Sequence, residues 1–551
     1  MENEPESQQT EASRHIQLDS KTRWAIFWLL IICSTAVVSS RLWQVSSVSY
    51  SEEVPFFSAN DRSRWCTIRS LGDHDTYAID LVLAAEDGES WDTIDKVMHW
   101  GRDFRPHFYS SKPTLLPTLV TYPYIALKYA TGWDLENNTF DVVRWLLLIC
   151  QVLPLILFFW SIGRISELVA ESEWTRMFVV GCAGFATFVT TFAISLNNHL
   201  PAVVAVSLSL YALVMIWKRQ TDRAGWFLLC GLMAALAAAF EIPALAFLLT
   251  AFVLCMLRSV SKTLLAFLPP VIAVAAAFFI TNYIAHGTWQ PAYSHRGDGP
   301  VLNVIDEINT AELGQGTINT RLRESLRTVR EDLDEDDFEQ AQVLRGEWPT
   351  SNPVEVESRW IMYFDEKTEP LVLVERADGF GVAVHRWNNW YEYPGSYWLG
   401  GNEGKSLVDR GESRWDTYLF NLTLGHHGVF SLTPIWFLSI FGVLILCVSP
   451  RYRLRLLGWA ILSISIVVIG FYVMRPEIDR NYGGYCCAPR WLFWLIPMWL
   501  LAMIPALDTM SESRGMRFVA LLLLAISIGA SFYAWSNPWV HPWIYQLIGG
   551  N

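Results

Sequence analysis

Residues 224–257 read AGWFLLCGLMAALAAAFEIPALAFLLTAFVLCML, with no charge except Glu241. As one helix this run would be about 50 Å long, against a bilayer hydrocarbon core of about 30 Å. Glu241-Ile242-Pro243 sits at its middle, and a carboxylate followed by a proline ends a helix better than it continues one. The run is therefore a helical hairpin of two spans, 224–240 and 242–257, with Glu241 at its turn. The run over 176–217 divides in the same way at Asn197-Asn198-His199-Leu200-Pro201. Working outward, further apolar stretches fall at 24–43, 142–162, 262–282, 431–449, 456–474, 490–506 and 517–535. The reading is an α-helical polytopic membrane protein of about eleven spans.

Composition agrees. Hydrophobic residues make up 52% of the chain and charged residues 17%, below the quarter usual for a soluble domain. The 27 Trp and 30 Phe suit interfaces and wide apolar helices. A net charge of −13 excludes nucleic acid as a partner, since that needs a basic face. Residues 1–21 are polar and read as a disordered cytoplasmic tail; the apolar run that follows, 22–43, has no small-residue cleavage site and is a retained anchor. Cys33, Cys150, Cys182, Cys230, Cys255 and Cys447 lie in apolar runs and pack as small hydrophobes. Cys66, Cys486 and Cys487 fall in polar segments, where a bridge from Cys66 to one of the other two stays open.

Short basic loops orient the chain. Lys21 and Arg23 precede the first span; Arg164 and Arg176, Lys218, Arg219 and Arg223, Arg258 and Lys262, Arg451, Arg453 and Arg455, and Arg514 and Arg517 flank later ones. Counting spans between them puts every one of these loops on the same side, which the positive-inside rule makes cytoplasmic. The agreement holds only if the apolar segment 114–131 does not cross, so it is expected as an interfacial or re-entrant helix on the outer surface. The N-terminus is then inside. The segments 44–141 and 283–430 and the tail 536–551 are outside, separated by six spans over 142–282 and four over 431–535.

The segment 44–141 carries Trp65, Trp91, Trp100 and Trp133 and should fold against the membrane surface. The segment 283–430 reads as an α+β domain: a charged helical part around 319–342, then an alternating stretch from Trp360 to Trp387 centred on Ala377-Asp378-Gly379, as in a β-hairpin.

Polar residues with chemical potential gather on the outer side. In Gly72-Asp73-His74-Asp75-Thr76-Tyr77-Ala78 two carboxylates flank a histidine, which suits a divalent cation, a base, or simply a helix N-cap. Lys112, in Ser110-Ser111-Lys112-Pro113, is placed for a phosphate at headgroup level or for snorkelling. Glu241 interrupts an apolar run and invites a partner such as His199 or an arginine. Arg480 and Arg490 are suited to clamp a phosphate or pyrophosphate, or merely mark a membrane exit. Gly425-His426-His427-Gly428 reads as a turn whose adjacent histidines point apart. No Walker sequence, nucleotide-binding glycine fingerprint, HExxH or nucleophile elbow occurs. An outward-facing transferase has no cytoplasmic nucleotide sugar to draw on and needs a membrane-borne donor.

Asp73-His74-Asp75-Thr76-Tyr77-Ala78 and Lys112-Pro113-Thr114-Leu115 resemble, in order and spacing, the acidic and Lys-Pro-Pro-Leu motifs of the GT-C superfamily of integral membrane glycosyltransferases, in its protein O-mannosyltransferase and aminoarabinose transferase branch. The resemblance covers roughly the first 285 residues. It departs from the pattern at His74, at Thr114 and at Asn197-Asn198-His199, where relatives carry a second acidic site. It implies a glycosyltransferase moving a sugar from a polyprenyl-phosphate-linked donor to a lipid, glycan or protein acceptor. Asp73 and Asp75 would be catalytic, with Mg or Mn on the same pair as the one cofactor to test. Lys112, Arg480 and Arg490 would hold the donor phosphate, with His74, His199 and Glu241 behind them. Membrane lipid is the other expected partner. Two readings from other classes stand beside it, a membrane transporter and a catalytically inactive scaffold or sensor. A transporter predicts ionisable groups at mid-membrane depth, whereas these spans keep theirs at the ends.

Overall fold

The computed structural model describes residues 18–45, 54–308, 313, 315–316, 318–345, 358–364, 368–376, 381–393, 395–398 and 405–548. Most of the cytoplasmic tail expected over 1–21, and the hairpin centre Ala377-Asp378-Gly379, lie outside these.

All eleven apolar stretches are helical. Eight helices are long and apolar enough to cross a membrane by length and composition: Ser20–Gln44 (α1), Thr139–Val169, Glu173–Ile194, His199–Lys218, Val260–His286, Arg455–Val473, Arg490–Met510 and Arg514–Tyr533. Ala224–Phe240, Ile242–Arg258 and Trp436–Val448 are apolar but shorter. The chain is an integral membrane protein. The hairpin read from 224–257 forms as expected, with Glu241 closing the first helix and a single 3-10 turn, Ile242–Ala244, opening the second. Two helices outrun their expected ends: the one over 142–162 runs from Thr139 to Val169 and that over 262–282 from Val260 to His286. Each continues past the apolar stretch that betrayed it, because the residues beyond still pack or cap.

The basic loops meet at one end of the bundle, the basic end. Arg23 at the start of α1 pairs with Glu167 at 3.1 Å and Glu173 at 2.8 Å. Arg451 pairs with Glu171, whose backbone N–H donates to Asp508. Lys218 lies over the Tyr452 ring, and Arg258 pairs with Asp222 at 3.0 Å. Loops from six places in the sequence thus share one face, as the charge count requires.

The opposite end carries the remaining mass. Ala59–His74 (α2) packs on Leu115–Thr131 (α3), the helix expected at the interface. Between them Lys96–Trp100 (β1) and Pro106–Ser110 (β2) form an antiparallel hairpin that runs directly into Lys112. The second unit is a five-stranded antiparallel sheet in the order β3-β7-β6-β5-β4, built from Val301–Asp306 (β3), Gln342–Arg345 (β4), Arg359–Tyr363 (β5), Leu371–Glu375 (β6) and Gly381–Arg386 (β7). The expected hairpin is its β6–β7 pair. Alternation decides what each face covers. Trp360, Met362, Leu371, Leu373, Val382 and Val384 pack on the helices Thr320–Val329 and Glu335–Gln340. Ile361, Val372 and Val374 pack against Val97, Tyr109, Trp387, Trp390 and Tyr391. The sheet therefore rests on the β1–β2 hairpin, with Met98 N–H donating to the Trp390 carbonyl at 2.9 Å. The C-terminal stretch also folds back: Cys487 N–H donates to Pro538 O at 3.0 Å, and Trp539 donates to Ser195 Oγ at 3.2 Å.

Candidate functional site

The site begins on α2. Ser58 caps this helix by accepting from Asp61 N–H, and Asp75, in the left-handed region, ends it. Its sequence is polar, yet Asp61, Arg64 and Arg69 are buried. Asp61 accepts backbone N–H groups from Phe57 at 3.3 Å and Leu196 at 3.1 Å, tying α2 to the turn at 195–198. Burial pushes its carboxyl up to about 7.

One turn on, Arg64 starts a network that joins four parts of the chain. It donates to Asn60 O at 2.8 Å and to Asn198 Oδ1 at 2.5 Å. Asn198 donates to Glu241 Oε1 at 2.7 Å and to Phe240 O at 2.9 Å. Glu241 meets His199 Nδ1, and Arg490 Nη1 donates to His199 Nε2 at 3.2 Å. Arg490 also donates to Gly483 O at 2.7 Å and stacks 4.5 Å over the Trp539 ring. Beside it Lys112 pairs with Asp95 at 3.0 Å, and Ser63 Oγ, next to Arg64, donates to the Asp95 carbonyl at 2.6 Å. The invited partner of Glu241 is therefore His199. The two helical hairpins present their broken ends to each other, and each burial of a polar group is matched by the other.

Three cations crowd together here. Arg490 lies close enough to act on both Arg64 and Lys112. Burial, then repulsion from Arg490, draws Arg64 down to about 10. Burial draws Lys112 down to about 8, with Asp95 opposing and Arg64 and Arg490 reinforcing. Asp95 answers Lys112. Among the described residues neither Arg64 nor Arg490 touches a carboxylate; both spend their donors on amide and carbonyl oxygens and a neutral imidazole nitrogen. Two buried guanidinium groups whose direct partners are neutral are costly to keep, and Asp61, Asp95 and Glu241 nearby offset part of that cost for Arg64.

The structure brings together Lys112, Arg490, His199 and Glu241 of the expected residues. It separates Asp73, His74, Asp75 and Arg480 from them. Asp73 stands nine residues beyond Arg64 on α2, about 13 Å along the helix axis. It is near the C-terminal end of that helix, which overturns the N-cap reading. Its Oδ1 accepts from Tyr124 and Lys128, both at 2.7 Å. His74 and Asp75 are exposed. The Lys128 ammonium holds Oδ1 of Asp73, one of the oxygens a divalent cation would use there. No cluster of three or more metal-binding side chains occurs among the described residues. Arg480 donates to Ser413 O at 2.8 Å, outside the network. Cys66, Cys486 and Cys487 are free thiols; Cys66 donates to Trp91 O at 3.2 Å and Cys486 to Ala488 O at 3.1 Å, so no bridge joins them. His426 and His427 do not diverge as expected: their Nδ1 atoms meet, against Tyr482 and Tyr545.

Arg64 and Asp95 complete the site and were not singled out for it, whereas Asn198 belongs to the turn Asn197-Asn198-His199 that was. Arg64 is one of several arginines in a polar stretch, and Asp95 one of many outer carboxylates. The usable signal was Asn197-Asn198 at a break between spans.

No known family profile matches the chain, and no curated protein matches it. Among solved structures it is similar to the oligosaccharyltransferase of Archaeoglobus fulgidus in the apo form, at 10% identity and a TM-score of 0.43, covering 95% of this chain and 57% of that one. The same enzyme tethered to an acceptor peptide matches at 10% identity and 0.44, covering 95% and 56%. In complex with an inhibitory peptide and a dolichol-phosphate it matches at 10% and 0.41, covering 95% and 57%. The chain spans a little over half the length of these structures. A likeness at this level assigns it neither family nor activity.

Proposed function

We propose that the chain is a glycosyltransferase that moves a sugar from a polyprenyl-phosphate-linked donor to an acceptor at the non-cytoplasmic face of the membrane. The observation that supports this is the buried cluster of three cations: Arg64 and Arg490, neither with a carboxylate in direct contact among the described residues, beside Lys112. A phosphate at the end of a membrane bundle answers that cluster, and guanidinium groups are the side chains that suit it best. The basic loops at the other end argue for a non-cytoplasmic site, where the donor must be lipid-borne.

In this reading Arg64, Lys112 and Arg490 hold the donor phosphate and stabilise the charge that develops as it leaves. The acceptor's oxygen or nitrogen bonds to the sugar's anomeric carbon. The bond from that carbon to the phosphate oxygen breaks, and polyprenyl phosphate departs with the electron pair. Asp95 takes the acceptor proton. Before donor binding Asp95 is tied to Lys112; a phosphate that draws Lys112 away frees the carboxylate as a base. Asp73, already held by Lys128 and Tyr124, fastens α2 to α3.

The test is transfer in proteoliposomes from a panel of radiolabelled polyprenyl-phosphate sugars, with wild type, Asp95→Asn and Arg64→Gln. The reading expects turnover by wild type and a loss of at least about 100-fold in both variants. Folded wild type that turns over no member of a broad panel overturns it, and substrate flux without transfer would mark a transporter.

A further inference from the structure

A cavity with a cationic rim lies at the basic end, away from the cluster described above. It has a volume of about 290 Å³ and opens between the last turn of His199–Lys218 and the start of Arg455–Val473, lined by Trp217, Gln220, Arg453, Arg455, Leu454 and Leu457 among others. Its size is at the lower edge of ligand pockets and suits a headgroup rather than a whole drug-sized molecule.

Three features of the wall act on an anion. First, the guanidinium groups of Arg453 and Arg455 are exposed, and among the described residues no carboxylate pairs with them. Their neighbours Lys218 and Arg219 add to the charge. The acids nearby are engaged, Glu171 by Arg451 and Asp222 by Arg258. Second, Trp217 lines the cavity, and its indole N–H has no hydrogen-bond partner among the described residues, which costs free energy unless a ligand supplies one. Third, the helix starting at Arg455 has no side-chain cap, and its first residues, Arg455, Leu456 and Leu457, line the cavity.

The walls are amphiphilic. Leu454 and Leu457 are buried beneath the cationic rim, while Leu456 is 48% exposed on the flank that continues down the helix. An anion that arrives attached to apolar chains satisfies both parts; free phosphate satisfies only the rim. The cavity is level with the helix ends, where headgroups lie.

We propose that this cavity binds a phosphate-bearing anion, supplied as the phosphodiester headgroup of an anionic membrane phospholipid. The experiment uses the full chain, delipidated in detergent, and native mass spectrometry with phosphatidylglycerol or phosphatidylcholine offered at equal concentration. Wild type should keep phosphatidylglycerol in preference, and Arg453→Gln with Arg455→Gln should reduce that preference at least about tenfold, two headgroup-level arginines being lost. Trp217→Phe, which keeps the ring and removes the donor, should reduce it several-fold, and Arg453→Lys with Arg455→Lys should restore most of it. Thermal melting in phosphatidylcholine alone shows that each variant is folded. Displacement of the lipid by millimolar inorganic phosphate would keep the phosphate site and assign it to the free ion. Equal retention of the two lipids by wild type, or an unchanged preference in the folded double variant, overturns the proposal.

Discussion

Arg490 donates through Nη1 to Nε2 of His199 at 3.2 Å, although 291 residues separate them in sequence. Arginine has no acceptor, so Nε2 must accept and the ring proton sits on Nδ1, facing Glu241. His199 thus joins the cation of Arg490 to the carboxylate of Glu241, as Asn198 joins Arg64 to the same carboxylate. His199→Phe keeps the ring volume and removes both links. The variant should melt lower by an amount corresponding to about 2–4 kcal/mol, because two charged groups each lose a buried partner. Binding of polyprenyl phosphate, measured by titration in detergent, should weaken about tenfold as Arg490 swings free. Unchanged melting and affinity would remove His199 from the network.

Asp95 and Asp73 can be told apart as base candidates. Asp95 shares the cationic cluster, with its carboxylate 3.0 Å from Lys112. Asp73 accepts from Tyr124 and Lys128 and lies a long way down α2. Asp95→Asn should abolish transfer while leaving polyprenyl-phosphate binding within a few-fold of wild type. Asp73→Asn should retain transfer and lower the melting temperature instead, since it breaks an ion pair partly shielded from water. Loss of transfer in Asp73→Asn with an unchanged melting curve would return the base to the acidic motif.

The pH dependence follows from two groups in the same cluster. Asp61 is raised to about 7 by burial, so the stability it contributes is full below the ordinary carboxylate range and lost as pH rises through about 7. Lys112 is lowered to about 8, again by burial first, so its contribution is full above the ordinary lysine range and lost as pH falls through about 8. Both contributions are absent between about 7 and 8, where both groups are charged, and the donor-free protein should be least stable there. Lys112→Arg, which cannot lose its proton, should erase the recovery on the alkaline side. Polyprenyl-phosphate affinity of wild type should fall above about pH 8, about tenfold per unit, and stay flat in Lys112→Arg. Melting curves and titrations from pH 6 to 10 would check both.

These groups show what the sequence makes legible. Apolar length and a charged break suffice for the spans, because a helix too long for the bilayer must turn; hence 224–257 divides at Glu241 as read. Glu241 itself announces a partner, since a lone carboxylate in such a run has to be answered. Arg64 announces nothing. It stands in Ala59–His74, a helix whose mean composition is that of a solvated surface, and its buried partner Asn198 lies 134 residues away. Asp73 misleads for the complementary reason: its local motif is conspicuous, but Tyr124 and Lys128 on the next helix hold its carboxylate.

Packing of Trp436–Val448 on Arg490–Met510 is expected to be intolerant of a single methyl group. A Cβ at Gly442 would stand 2.0 Å from the carbonyl oxygen of Ala502, and a backbone carbonyl cannot step aside as a side-chain tip does. Close helix approach in membranes relies on such small residues. Gly442→Ala should destabilise by about 1–3 kcal/mol, read as a lower melting temperature in detergent. Because Arg490 opens the partner helix, the same variant should weaken polyprenyl-phosphate binding. A neutral effect on both would show that the two helices part at no cost.

The arrangement of charge at the two ends predicts sidedness. Arg23, Arg451, Lys218 and Arg258 gather at one end, and the five-stranded sheet with its helices is built at the other. Retaining so many cations on one side favours that side as cytoplasmic. Ser261, exposed at the basic end, and Thr328, exposed on the helix over the sheet, are reporters on opposite sides. In intact cells a membrane-impermeant maleimide should label Thr328→Cys above the background of the native chain, and Ser261→Cys only after permeabilisation. The reverse pattern would put the Arg64–Lys112–Arg490 cluster in the cytoplasm, where nucleotide-linked donors are within reach, and the case for a lipid-borne donor would fall with it.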